Sequence, residues 1–352
     1  MSMISSGMPV VITPSVLVNT MVTGLTNDQS NLAATEQQVS TGDAINVASD
    51  NPAGAASLLQ LQGGVVRANQ YSANAADGVG WLSLGNSTVS SVLSVVQSIK
   101  SVIEGVSGSS LMSDPATITS TAAQVQGALS QLLNLANTTE AGGQPIFAGT
   151  GNATVAYDAN GNYVGNSTPP TRTVAPGTQV AVAVAGPTVF GGPTTPGGST
   201  TAASPSLLGT PPPSVSSLGG TYTNYASEGV LQQTYNDLTN AATALSSSTG
   251  MSLGYNASHY LGQVTTTDLN ALSTALSNAE TAAGTLGANQ QAVQGFASQA
   301  TASATALTGQ LGAVQDTNMA QALTNLQLQQ TAYQEALYAT SQLSTDSLVK
   351  YL

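Results

Sequence analysis

Both ends of this chain carry a narrow apolar seam with no partner in its own segment. Near the N-terminus, Val18, Met21, Leu25, Leu32 and Val39 follow a 3–4 alternation interrupted by Asp28 and Thr35. Near the C-terminus, Met319, Leu323, Leu326, Tyr333 and Leu337 repeat the alternation, with Gln330 in the gap. Such spacing draws one stripe along a helix, the pattern of a coiled coil. An isolated helix carrying a stripe this short is marginal in water. Each seam therefore requires the other seam, or neighbouring copies of the chain. That constraint points to an assembly subunit rather than an enzyme.

Composition removes other classes. The only basic residues are Arg67, Lys100, Arg172 and Lys350, the only histidine is His259, there is no cysteine, and the formal net charge is -12. Nucleic-acid binding needs clustered cations to neutralise phosphates, and these four stand singly. Without cysteine there is no disulfide framework, thiolate nucleophile or zinc-finger ligand set. Asp158 to Asn162 has the look of a calcium loop, but Gly161 falls at the fourth position and no glutamate closes it, so a hairpin turn is expected. No phosphate loop, dinucleotide fingerprint or paired acid–base site is visible. The expectation is no enzyme activity, no cofactor and no metal. Met1 to Met21 lacks a basic leader and is interrupted by Pro9 and Pro14. No uninterrupted apolar run reaches about 18 residues, so neither a cleaved signal nor membrane insertion is expected.

The seams sit in a longer pattern. A first helix opens at Thr13-Pro14 and stops at Gly42; a second opens at Asn51-Pro52. From there Leu58, Leu61, Val65, Ala68, Ala75, Val79, Leu82, Val89, Leu93, Val96 and Ile103 keep one register, with Ser72, Asn86 and Lys100 as breaks. A third helix is expected from Asp114-Pro115 to a stop at Gly142-Gly143, with Ile118, Ala122, Val125, Leu129, Leu132 and Ala136 on its seam. The helical period then disappears. Val155, Tyr157 and Tyr163 around Asn160-Gly161 read as a hairpin with a type I′ turn, and Gln179 to Ala185 reads as a strand. Gly191 to Pro213 is nearly pure Gly, Pro, Ser and Thr and reads as a surface loop. Helix resumes near Tyr225 and runs to Ser248. The strongest period follows, from Leu269 to Val314 with Gln290 as its break, and it shifts register at Asp316-Thr317. The fold class is mainly α with a β-rich insert, a long coiled-coil rod built from both chain halves. Its expected parts are an N-terminal helix (1–44), the first half of the rod (45–149), the insert (150–224), the second half (225–315) and a C-terminal helix (316–352).

One local signature goes beyond helix punctuation. Gln38-Val39-Ser40-Thr41-Gly42, then Ile45-Asn46 and Ser49-Asp50-Asn51-Pro52-Ala53-Gly54, resembles the turn between the terminal and first rod helices of the flagellin superfamily. Asn318-Met319-Ala320 and Gln329-Gln330-Thr331-Ala332 resemble its closing helix. Ile146-Phe147-Ala148-Gly149-Thr150 and the terminal Tyr351-Leu352 are similar to the hook-associated protein 3 branch, which joins hook to filament. Asp43 and Ala44 depart from the family pattern, which places basic residues after the Ser-Thr-Gly, and Met1 to Val10 resembles an added extension. The resemblance implies a flagellin-like fold and a subunit exported to the bacterial flagellum without a cleaved signal peptide. It implies family-like turn residues Ser40, Thr41, Gly42, Asn46, Asp50 and Pro52. It implies as partners further copies in a ring, the hook-side junction protein, flagellin and an export chaperone. Two alternatives stay open: a flagellin forming the filament itself, and a secreted coiled-coil adhesin or surface-layer protein. Charged residues make up only 6% of the chain, against roughly a quarter in ordinary proteins. Few ion pairs are therefore available for acid to break, and tolerance of low pH is expected.

Overall fold

Proline stands at the first position of each of the first three helices: α1 (Pro14–Thr41), α2 (Pro52–Ser107) and α3 (Pro115–Ala136). Its fixed φ suits a helix start, and its missing N–H is one of the donors a first turn leaves unpaired. In this computed structural model the described residues are 14–107, 114–192, 206–208, 229–246 and 251–349. After α3 come strands β1 (Thr171–Ala175) and β2 (Thr178–Ala181), the short helix α4 (Gly186–Phe190), then α5 (Val230–Ser246) and α6 (Met251–Gln263). A π-helical turn, Val264–Asp268, leads into α7 (Leu269–Gln315), and α8 (Met319–Val349) closes the chain. At 1.5 Å per residue α7 is about 70 Å long.

The chain divides into two compact units. The first comprises Met1–Ala68 with Ala302–Leu352, and the second is Asn69–Thr301.

The second unit holds the main apolar core. Leu82, Val89, Val92, Val96 and Ile103 of α2, Ile118, Val125 and Leu132 of α3, Leu231 and Leu238 of α5, and Leu272, Leu286 and Val293 of α7 join one buried cluster. Close approach of α2 and α7 depends on glycine. A Cβ on Gly78 would meet Val182 at 3.0 Å and Val293 at 3.4 Å, and one on Gly85 would meet Leu286 at 3.4 Å. Two breaks in the sequence period answer each other here: Asn86 Nδ2 donates to Gln290 Oε1 at 2.6 Å. Among the described residues, α2 is the one helix that by length and average composition is apolar enough to cross a bilayer. Its apolar residues are interrupted by polar ones, and the Val89, Val92, Val96 and Ile103 side of α2 is buried in the core.

α3 stops earlier than its sequence suggests. Asn137, rather than Gly142-Gly143, ends it, because its Oδ1 accepts the amides of Ala156 and Tyr157 while its Nδ2 donates to the Tyr157 carbonyl, all at 2.9 Å. Those bonds turn the chain into the insert, where Phe147, Tyr157, Tyr163 and Phe190 pack edge-on or tilted with centroids 5.3–5.4 Å apart. Tyr157 and Tyr163 do pair as a hairpin, but its turn is not type I′. Only Gly161 is left-handed (φ 77°), and its amide donates to the Asp158 carbonyl. This is a type I turn followed by a glycine bulge, which spares Asn160 a positive φ. β2 covers only the start of the expected Gln179–Ala185 strand, and β1 had no signal in the sequence reading. The β1–β2 hairpin is held by Asn74 Nδ2 donating to the Thr173 carbonyl and Asn289 Nδ2 to the Ala181 carbonyl. Arg172 adds an ion pair to Asp77 at 2.5 Å and lies over the Trp81 ring. Among the described residues the β content is this one two-stranded sheet and isolated bridges. Most of the Gly191–Pro213 loop lies outside the described residues, as do the first residues of the helix expected from Tyr225; α5 is described from Val230.

Candidate assembly surface

The first unit is organised by the turn after α1. Gly42 takes φ 80° and its amide donates to the Gln38 carbonyl, ending the helix with the left-handed residue that glycine alone adopts without strain. The Thr41 hydroxyl donates to the Gln37 carbonyl and accepts the Asp43 amide. Two backbone bonds then tie the turn to the α7–α8 junction, from the Ala44 amide to the Gln315 carbonyl (2.6 Å) and from the Thr317 amide to the Gly42 carbonyl (2.8 Å). Asp43 and Asp316 sit opposite each other in this antiparallel bridge, with Gln315 Nε2 donating to Asp43 Oδ1. Asp50 Oδ2 accepts the amides of Asn46 and Val47, Asn46 Nδ2 donates to the Asp43 carbonyl, and Asn51 caps α2 by accepting the Gly54 amide. Gly42, Asn46, Asp50 and Pro52 thus build a turn that staples the two distant chain segments. Ser40 is exposed and makes no bond of this kind among the described ones.

α1 and α8 pack against each other. Met21, Leu25, Leu32 and Val39 are half-buried on one face of α1, and that face continues through the two breaks, Asp28 half-buried and Thr35 buried. Thr35 satisfies its hydroxyl on the Asn31 carbonyl. The side chain of Val18 lies outside the described residues. On α8 the inward face is rotated from the seam read off the sequence. Ala322 is buried, and Leu326, Gln329, Tyr333, Ala336 and Thr340 are half-buried at the same 4–3 spacing. Leu326 and Tyr333 belong to both sets. Met319, Leu323 and Leu337 flank the contact, 41%, 45% and 42% exposed. Small side chains at 322 and 336 let two helices approach closely, whereas apolar size alone draws attention to the bulkier flank. The heptad Ala322, Gln329, Ala336 was the sequence signal available for it.

What remains uncovered is uneven. Of the twelve large apolar side chains exposed among the described residues, ten lie in the first unit: Val16, Val22, Val47, Leu59, Val66, Met319, Leu323, Leu328, Leu337 and Tyr338. Only Val155 and Val164 lie in the second. Large contiguous apolar patches on a protein surface are typical of sites where another chain packs. The described residues hold no cluster of three or more metal-ligating side chains.

Comparison with known proteins agrees with this geometry. Residues 12–152 match the family model of the bacterial flagellin N-terminal helical region. Flagellar hook-associated protein 3 of Escherichia coli K12 is 33% identical over 145 residues, 41% of this chain and 45% of that protein. Its counterpart from Salmonella typhimurium LT2 is 29% identical over 170 residues, 48% of this chain and 53% of that one. The chain spans about half the length of the curated relatives it matches. Among solved structures, FlgL of Xanthomonas campestris superposes with a TM-score of 0.51 at 18% identity, covering 70% of this chain and 98% of that one. A putative flagellar hook-associated protein from Vibrio parahaemolyticus gives 0.54 at 17%, covering 76% and 99%. The fold is that of the flagellin class, long helices from both chain halves around an insert. Within that class the chain resembles flagellar hook-associated protein 3.

Proposed function

We propose that this chain is a structural subunit of the bacterial flagellum that joins hook to filament and polymerises through its terminal helices. The observation that carries the reading is the crowding of exposed apolar side chains onto the first unit, on helices whose inward faces already pair. In this assignment Met21, Leu25, Leu32, Val39, Leu326 and Tyr333 hold α1 to α8 within a subunit. Met319, Leu323 and Leu337 form the stripe that the next subunit covers. The turn through Ser40, Thr41, Gly42, Asn46, Asp50 and Pro52 fixes the two chain ends so that the stripe is presented in one geometry. The partners are copies of the chain in a ring, the hook-side junction protein and flagellin, met outside the cell after export with a chaperone and without a cleaved signal peptide. Its role is structural rather than catalytic. The resemblance to hook-associated protein 3 supports the junction over the filament.

Because the chain has no cysteine, Thr154→Cys in the exposed insert loop gives one site for a fluorescent maleimide on live cells. A focus at the distal end of each hook is the expected result. Decoration along whole filaments would replace the junction with a flagellin role, and staining of the cell body alone would overturn both.

A further inference from the structure

Asp268 is the one acidic residue among the buried polar side chains of the second unit's described residues, 2% exposed, and it ends the π turn between α6 and α7. A π turn is an α-helix carrying one extra residue, and such insertions are held by local side-chain contacts. Here the turn packs against α5 and α6. The Asp268 carboxyl lies within hydrogen-bond reach of the Thr234 hydroxyl on α5, while its Oδ2 has no partner. Donor counting decides which form of the acid fits. Thr234 owns one hydroxyl hydrogen and already gives it to the Val230 carbonyl at 2.8 Å. An ionised Asp268 offers acceptors only, and would compete for that hydrogen. A protonated Asp268 donates to the Thr234 oxygen and completes a relay ending on Val230.

Among the described residues neither ion pair involves Asp268. The sequence contains no lysine or arginine between Arg172 and Lys350. On the elements around the turn the titratable groups are Tyr235 and Asp237 of α5, His259 and Tyr260 of α6, with Tyr255 on the same helix, and Glu280 further along α7. Only His259 can carry a positive charge, and it is exposed. A buried carboxylate without a cation pays a large desolvation cost.

We propose that the π turn is a proton-operated register switch: with Asp268 protonated the turn is held against α5, and with Asp268 ionised the carboxylate leaves for solvent and the turn closes into continuous α-helix. Closing it moves α6 by one residue relative to α7, a rise of about 1.5 Å and a rotation of about 100°. Burial accordingly pushes the Asp268 pKa up to about 7. The switch concerns the second unit and stands whether or not the subunit joins hook to filament.

The test uses the full chain with spin labels on Thr239→Cys in α5 and His259→Cys in α6, both exposed positions. Placing one label there also removes the only histidine, the side-chain type that ordinarily titrates near neutrality. Pulsed electron resonance should show the α5–α6 distance distribution shifting between about pH 5 and about pH 9. Adding Asp268→Asn, which keeps a donor for Thr234, should hold the acid-side distribution throughout. Independently, the infrared difference between the wild-type chain and Asp268→Asn should contain a protonated-carboxyl band that disappears near neutrality. A distance distribution that ignores pH, one that shifts equally with asparagine at 268, or a band lost already near pH 4 would each overturn the proposal.

Discussion

The two units draw on the same long helices, yet α2 meets opposite fates in them. Between Pro52 and Ala68 it leaves Leu59 and Val66 exposed at 71% and 67%, with only Leu58 and Ala68 buried. Beyond Asn69 it buries Ala75, Leu82, Val89, Val92, Val96 and Ile103. The apolar content of the helix does not differ enough to explain this. The second unit adds further layers, α3, α5 and the insert, so more than one side of α2 finds cover. The first unit supplies only the α1–α8 pair and the ends of two long helices. Here the outer faces remain open, and in the assembly proposed above another chain would complete their burial. In that reading, stability in one unit and association in the other are two outcomes of the same patterning.

The sharpest way to break this contrast is to cut side chains on each side of it. Leu82→Ala or Leu286→Ala, both fully buried, should lower unfolding stability by about 2–5 kcal/mol in denaturant titration followed by circular dichroism. Leu323→Gln with Leu337→Gln should change monomer stability by no more than about 0.5 kcal/mol per site, yet abolish assembly in sedimentation. A comparable loss of monomer stability from both sets would erase the distinction.

Asp268 supplies the next effect, confined to the second unit. Its pKa rises from 3.8 to about 7 on folding, so the folded state keeps a proton that the unfolded chain has released. Its stabilising contribution is fully present below the unfolded pKa, falls as pH climbs through the folded one, and is lost above it. The span amounts to about 4 kcal/mol at most. Asp268→Asn should flatten the stability profile over that window and raise stability at neutral pH. The same sign favours the fold in acid. Only two ion pairs occur among the described residues, Lys100–Glu104 and Arg172–Asp77, both partly exposed. Helical circular dichroism should therefore persist toward pH 3 better than in a charge-rich relative.

Limited proteolysis compares the units directly. Trypsin has four possible sites in the whole chain, so a protease of broad specificity is the right probe. It should trim toward Ala68 from one end and Ala302 from the other before Asn69–Thr301 is lost. Resistance of both ends equal to that of the body would contradict an incomplete first unit. Gly42→Ala tests the staple. No atom lies within 4 Å of an added Cβ, so only the left-handed φ of 80° opposes it, and a cost of about 1–2 kcal/mol is expected. That cost should appear in exchange of the Ala44 and Thr317 amides and leave second-unit amides unchanged. Smallest of all is salt. Moving from about 0.01 M to 1 M sodium chloride should alter stability by less than about 1 kcal/mol, because exposed pairs contribute so little.

Much of this architecture is legible in the sequence. Pro14, Pro52 and Pro115 mark helix starts, Gly42 a stop, and Asp316-Thr317 a break, because capping and backbone φ are local properties that a few neighbours decide. The apolar periods of α2 and α7 likewise announced which sides are buried in the second unit. Partnership was not legible. Asn86 and Gln290 each read as a flaw in a seam, and only folding brings these residues, far apart in sequence, together so that each satisfies the other. Asp28 and Thr35 read as interruptions although they lie on the packed face. The inward side of α8 was chosen by the small residues Ala322 and Ala336, since the distance between two helix axes depends on both surfaces at once. Nothing in the chain's period announced the π turn or the burial of Asp268, because the cost of an ionised carboxylate is set by what surrounds it. Periodicity follows from the order of residues along one helix. Burial depends on what the rest of the chain brings against it.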